Sequence, residues 1–215
     1  DALPRAVAAV GACIERLIPK KAGATLVAGL GNRAVTPDAV GPRCADHVLV
    51  TRHLTHADPR NFGSFYPVAA LAAGVLGTTG VESGELVQAV CEKIRPGFVI
   101  AVDALAARSV RRLCTTIQIA DTGISPGSGV GNRRFALNAE TLGVPVIAVG
   151  VPTVVDGASL ARELGGRADG ELAEMLVTPK DVDTLITELA KLLGYGINAA
   201  LQRGLSVADM DYFLG

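Results

Sequence analysis

A three-layer α/β/α fold with a mainly parallel sheet is what this sequence predicts, and three observations predict it. Phe98-Val99-Ile100-Ala101-Val102 runs without polar interruption into Asp103, the pattern of a strand buried on both faces. Residues 24–30 and 144–149 repeat that pattern, and stretches of helical periodicity separate the runs. Apolar residues are 49% of the 215 and aromatics only 4%, with no Trp, so Ala, Val, Leu and Ile must build the core. The length suits one medium-sized α/β domain.

Taken in order, residues 2–18 place Val7, Val10, Ile14 and Leu17 on one helical face. Pro19-Lys20-Lys21 ends that helix and the first strand follows at 24–30. After the loop 31–41, Pro42 fits a first helical turn, and 43–54 reads as a second helix bearing Ala45, Val48 and Leu49. A weaker strand covers 68–72, a Gly- and Thr-rich loop 74–80, and a helix 81–94. The strand 98–103 comes next, then a helix-prone stretch 104–113, a β-branched strand 115–120 and a glycine-rich loop 121–133. The strand 144–149 leads into Gly150-Val151-Pro152-Thr153. Residues 157–175 are polar and Gly-rich, a mobile or shortened insertion. Thr178 as N-cap, Pro179 at the first position and Asp181 near the N-terminus then open a long helix carrying Leu185, Ile186, Leu189, Leu192 and Leu193.

The net charge of −1 gives no field that favours nucleic acid or an anionic membrane. No apolar run approaches the ~20 residues that span a bilayer. Cys13, Cys44, Cys91 and Cys114 form no CxxC pair and read as buried, reduced thiols of a cytoplasmic-type protein. His53 and His56 with Asp58 lack a third ligand and read as a solvated helix end, so no metal is expected.

Gly29-Leu30-Gly31-Asn32-Arg33-Ala34 matches a dinucleotide fingerprint in letters. Val35-Thr36-Pro37 follows where a helix should already have begun, and Pro37 disfavours a helical Thr36. The loop Gly127-Ser128-Gly129-Val130-Gly131-Asn132 could cradle an anion with its amides, but it lacks the lysine of a P-loop. It serves equally well to let an extended peptide approach the backbone, and tight turns with no ligand at all are the plainer alternative.

In open parallel sheets, ligands gather at the carboxyl ends of the strands. Asp38 follows the first strand and Asp103 closes the central one, so both acids point to one edge. Two carboxylates in a confined site share a proton, one activating water while the other donates. On spacing alone, each acid could instead cap the segment that follows it. Asp121, after the strand 115–120, is a reserve for either member of the pair.

Longer blocks carry a resemblance. Leu30-Gly31-Asn32 with Val35-Thr36-Pro37-Asp38-Ala39-Val40-Gly41-Pro42 resembles the first signature of the germination protease family of spore-forming bacteria, and Thr51-Arg52-His53-Leu54 continues it. Residues 99–109, 116–132 and 140–156 are similar to three further signatures, and the likeness resumes at 176–201. The resemblance implies a single peptidase domain over 1–215 with a hydrogenase-maturation-protease-like fold. It also implies an atypical aspartic endopeptidase that degrades small acid-soluble spore proteins at germination. Such an enzyme would be made as a zymogen, assemble as a homotetramer and work in the cytoplasm of the spore core without a cofactor. The family's catalytic aspartates fall on Asp38 and Asp103. Asp121, Gly127, Ser128, Gly129 and Asn132 are the expected substrate-binding residues. The segment between Asp156 and Leu176 looks short against the family pattern, and the family's long N-terminal portion is almost wholly missing.

Two other readings stand beside it. A hydrogenase-maturation-type protease also places carboxylates after GxGN and a strand-ending Asp-Ala, but adds a downstream histidine, and no His follows His56 here. A non-catalytic nucleotide or peptide binder could use the same sheet.

Overall fold

The structure, a computed structural model, describes residues 2–20, 23–127 and 135–214. The apolar runs form the expected strands. β1 (Thr25–Leu30) lies between β2 (Val68–Gly74) and β3 (Phe98–Ala107), and β3 pairs on its other side with β5 (Val146–Asp156). These pairings are all parallel, whereas β4 (Gln118–Ala120) and β6 (Leu176–Val177) run antiparallel to β5. The order β2-β1-β3-β5-β4 means that the chain leaves β1 to one side and returns on the other. The crevice between the carboxyl ends of β1 and β3 is therefore the topological switch point.

Alternation along the strands sends side chains to two cores. Val27, Ile100, Val102, Ile147 and Val149 face one way, against α1 (Ala2–Glu15), α2 (Val40–Asp46) and α10 (Val182–Leu201). Leu26, Ala28, Leu30, Val99 and Ala101 face the other, against α6 (Ser83–Ile94) and α7 (Ala139–Leu142). These are the three layers that the sequence predicts. Small residues let the helices of the first layer close in. A Cβ on Gly11 of α1 would stand 3.0 Å from Ala199 Cβ, and one on Gly196 of α10 would overlap the Val10 side chain.

Several elements differ from expectation. The helix expected at 43–54 is broken by Val48-Leu49-Val50 into α2 and α3 (Arg52–Ala57), because buried Val48 and Leu49 pack inward. Asp58 then caps a short α4 (Pro59–Phe62). The loop 74–80 contains one helical turn, α5 (Leu76–Thr79). Residues 104–107 are strand, not helix: Ala104 and Leu105 pair with Val151 and Pro152, and Ala106 and Ala107 with Val154 and Val155. Only a 3₁₀ turn at Val110–Arg112 follows. β5 likewise runs seven residues beyond Val149. The polar stretch 157–175 holds α8 (Gly157–Glu163), capped by Asp156, and α9 (Glu171–Glu174). α10 begins at Val182, so Thr178 and Pro179 precede it. A final helix, α11 (Val207–Leu214), packs Met210 onto Tyr195 of α10. Cys44, Cys91 and Cys114 are buried free thiols, but Cys13 is exposed on α1. Among the described residues, no helix is long and apolar enough to cross a membrane.

Candidate active site

Asp38 is the last residue of a 3₁₀ turn, Thr36–Asp38, that folds back under the end of β1. Gly31 makes the reversal feasible. Its φ is +110°, a conformation that L side chains rarely adopt, and a Cβ there would overlap the Asp38 carbonyl oxygen. The Asn32 N–H donates to Asp38 Oδ2 at 2.6 Å, and Asn32 Oδ1 accepts from the Ala34 N–H at 3.0 Å. Arg33 reaches both carboxylate oxygens of Asp46, at 2.6 and 2.8 Å, and the Pro42 carbonyl at 2.9 Å. Thr36 Oγ1 donates to Asp183 Oδ1 on α10 at 2.9 Å. The loop that carries Asp38 is thus tied to α2 and to α10.

The helix expected of a dinucleotide fingerprint starts only at Val40. No helix N-terminus therefore opens within Gly29-Leu30-Gly31-Asn32-Arg33-Ala34 to receive a pyrophosphate.

Asp103 lies within β3, not at its end, and pairs with Gly150 of β5. The strand end is nevertheless local: the last residue of β3 in register with β1 is Val102, opposite Gly29. Asp103 is the first residue past that shared edge, is only 4% exposed, and accepts the Ala104 N–H on Oδ1 at 3.0 Å.

Both carboxylates line one cleft of about 700 Å³ at the switch point. Gly127 lines it too. Ser128, Gly129 and Asn132 lie outside the described residues. Asp121 does not line this cleft and is exposed. The reason is strand direction. β4 is antiparallel, so Gln118 sits opposite Gly150 near the cleft, while the chain runs to Ala120 opposite Ala148 and delivers Asp121 toward the other edge.

Sequence reasoning missed other residues of the cleft, among them Ser83, Gln118, Leu176, Thr153 and Thr178. Thr178, expected as an N-cap, donates instead to the Thr153 carbonyl at 2.9 Å. Thr153 is 1% exposed, and its Oγ1 has no hydrogen-bond partner among the described residues. A polar residue inside the apolar run 146–155 was the signal available for Thr153. Nothing local marked Ser83, which reaches the cleft as the first residue of α6.

A second cavity, about 660 Å³, lies at the far end of α10 around Glu15, Tyr66 and Gln202 and, among the described residues, contains no second carboxylate. His53 and His56 lie on α3 at the helix end foreseen for them, and Asp58 is occupied as a cap. Among the described residues, no group of three or more His, Cys, Asp or Glu gathers as if around a metal ion.

A family model described as germination protease matches residues 8–164, which include both aspartates. The chain belongs to the germination protease family. The germination protease of Caldanaerobacter subterraneus subsp. tengcongensis is 44% identical over 230 residues, spanning 91% of this chain and 71% of the relative. That of Clostridium perfringens is 42% identical over 242 residues, spanning 95% and 74%. Both alignments are longer than the 215 residues of this chain, so these relatives carry residues within the matched span that this chain lacks. Membership makes the chain a peptidase, an endopeptidase of spore germination. Among solved structures, a NiFe hydrogenase maturation protease from Thermococcus kodakarensis KOD1 is similar with a TM-score of 0.47 and 18% identity, over 86% of this chain and 98% of that one.

Proposed function

We propose that the protein is an aspartic-type endopeptidase in which Asp38 and Asp103 activate water for attack on a peptide carbonyl. The observation that carries this reading is that the two carboxylates, far apart in sequence, line the same cleft at the switch point. In this reading the two carboxylates share one proton, because like charges brought close together do not both ionise cheaply. The ionised member takes a proton from water as its oxygen attacks the carbonyl carbon. The protonated member supports the developing oxyanion and then supplies a proton to the leaving nitrogen.

The substrates in this reading are small acid-soluble spore proteins, met in the cytoplasm of the spore core after a zymogen has been processed. The chain works as one peptidase domain within a homotetramer. Tyr212 and Phe213, adjacent and exposed on α11, are consistent with an oligomer contact. In this reading the protein binds no nucleic acid directly and no membrane, and Gly127 belongs to the substrate surface together with Ser128, Gly129 and Asn132. Incubating purified protein with a small acid-soluble spore protein, with and without chelator, tests the reading. Chelator-resistant cleavage at a restricted set of bonds is expected. No cleavage, or cleavage abolished by chelator and restored by a divalent cation, would reject it.

A further inference from the structure

The two central strands end at different heights. β1 stops pairing with β3 at Gly29 opposite Val102, whereas β3 continues to Ala107. On its other side β3 stays paired with β5 along this whole extension. Beyond Val102, therefore, the edge of β3 that faced β1 has no strand beside it among the described residues. Ala104, Leu105 and Ala106 of this stretch line the same cleft as Asp38 and Asp103.

The direction of the backbone groups follows from the pairing. In a parallel sheet, alternate residues aim both N–H and C=O at alternate neighbours. Val99 donates its N–H to the Pro145 carbonyl on the β5 side, so even-numbered residues of the regular run, through Ala104, face the side of β1. Ala104 presents its groups where β1 has already ended, and its N–H is met by Asp103 Oδ1 at 3.0 Å rather than by a strand. The register with β5 shifts between Leu105 and Ala106, a bulge that re-aims the strand next to the site. At about 3.3 Å per residue, the extension offers roughly 15 Å of edge.

An unpaired strand edge is a template for another strand, and extended peptides bind many proteins in this way. We propose that the substrate polypeptide binds as an added β-strand on the free edge of β3 at residues 104–106, continuing the sheet where β1 stops. This rests on the endopeptidase reading above and specifies how that site recognises its substrate. Main-chain hydrogen bonds supply affinity largely independent of side chains, and they set the scissile carbonyl beside Asp103 and Asp38. A peptide carbonyl that takes the Ala104 N–H also releases Asp103 Oδ1 toward the reacting centre. Only an extended, unfolded segment can enter such an edge, so folded proteins are excluded.

The test uses a synthetic peptide of about 15 residues spanning a bond that the wild-type protein cuts in a small acid-soluble spore protein. A series of such peptides carries a single backbone N-methyl group at each successive position, and affinity is measured with the D103N variant. Strand addition predicts a two-residue alternation near the scissile bond. Methylation of amides facing β3 weakens binding tenfold or more, and methylation of intervening amides changes it by less than twofold. Uniform sensitivity, or none, overturns the proposal while leaving the endopeptidase reading intact. If the wild-type protein fails to cut the parent protein at all, both fall, and that control distinguishes the two failures.

Discussion

Asp38 and Asp103 reach one cleft by different routes, a glycine-dependent reversal and a strand that outlasts its neighbour. Replacing either with Asn keeps the shape and removes one proton acceptor. Each single change is expected to lower kcat by about 10²–10⁴-fold, the range for loss of a general acid or base. The double variant should lose little more than the worse single one, because groups acting as a unit are non-additive. Circular dichroism and melting curves should remain near wild type, and robust activity in either single variant would end the dyad reading. Thr153 makes a second residue-scale case. A buried hydroxyl without a partner costs about 1–3 kcal/mol, so T153V should leave stability equal or higher in urea denaturation. If that cost is retained for substrate, kcat/KM should fall in the same variant. A less stable T153V would show that Thr153 Oγ1 is satisfied.

At the scale of elements, α10 is the member that the others lean on. Asn198 is 1% exposed; its Nδ2 donates to the His47 carbonyl at 2.8 Å and its Oδ1 accepts the Leu49 N–H at 2.9 Å. It therefore closes the break between α2 and α3 that hydrophobic periodicity could not reveal. N198A leaves a buried N–H and a partly buried carbonyl without partners, a cost of about 2–6 kcal/mol at about 1–3 each. Urea denaturation should show that loss, and a change under 1 kcal/mol would refute the bridging role. The same element explains what the sequence conveyed. Buried apolar runs located β1, β3 and β5, and amphipathic spacing located α1, α6 and α10, because those signals come from one face or both being dry. The extension of β3 was hidden because Ala104-Leu105-Ala106-Ala107 consists of good helix formers, overridden by pairing with β5. Asp121 lies away from the cleft because the antiparallel β4 ends at the opposite edge, and a three-residue strand carries no sign of its direction. Asp38 follows β1 as the sequence reading has it, whereas Asp103 lies inside β3 and reaches the cleft only because β1 stops pairing at Gly29, which no local pattern announces.

For the whole molecule, acid should act in two stages. His47, half-buried at the end of α2 and edge-on to the Tyr195 ring at 6.1 Å, is held below its ordinary value. Burial is the largest cause; Asp46 opposes it and Lys191 adds to it. A base with a depressed folded pKa takes its proton first in the unfolded chain. Stability therefore falls as pH drops below about 6.5 and levels off beneath the folded value. The second stage belongs to carboxylates held below their usual range by hydrogen bonds: Asp156 from the Ser159 amide, Asp211 from Lys191 and Tyr195, and Glu163 from the Val110 amide and Ser109. Their contribution is present above about pH 4 and is lost as pH falls through their lower folded values. Melting temperatures measured from pH 8 to pH 2 should show a shallow decline beginning near pH 6.5 and a steeper one beginning near pH 4. H47Q should abolish the upper decline and preserve the lower one. A wild-type profile flat between pH 7 and pH 5, or an H47Q profile indistinguishable from wild type, would show that His47 titrates alike in the folded and unfolded chains.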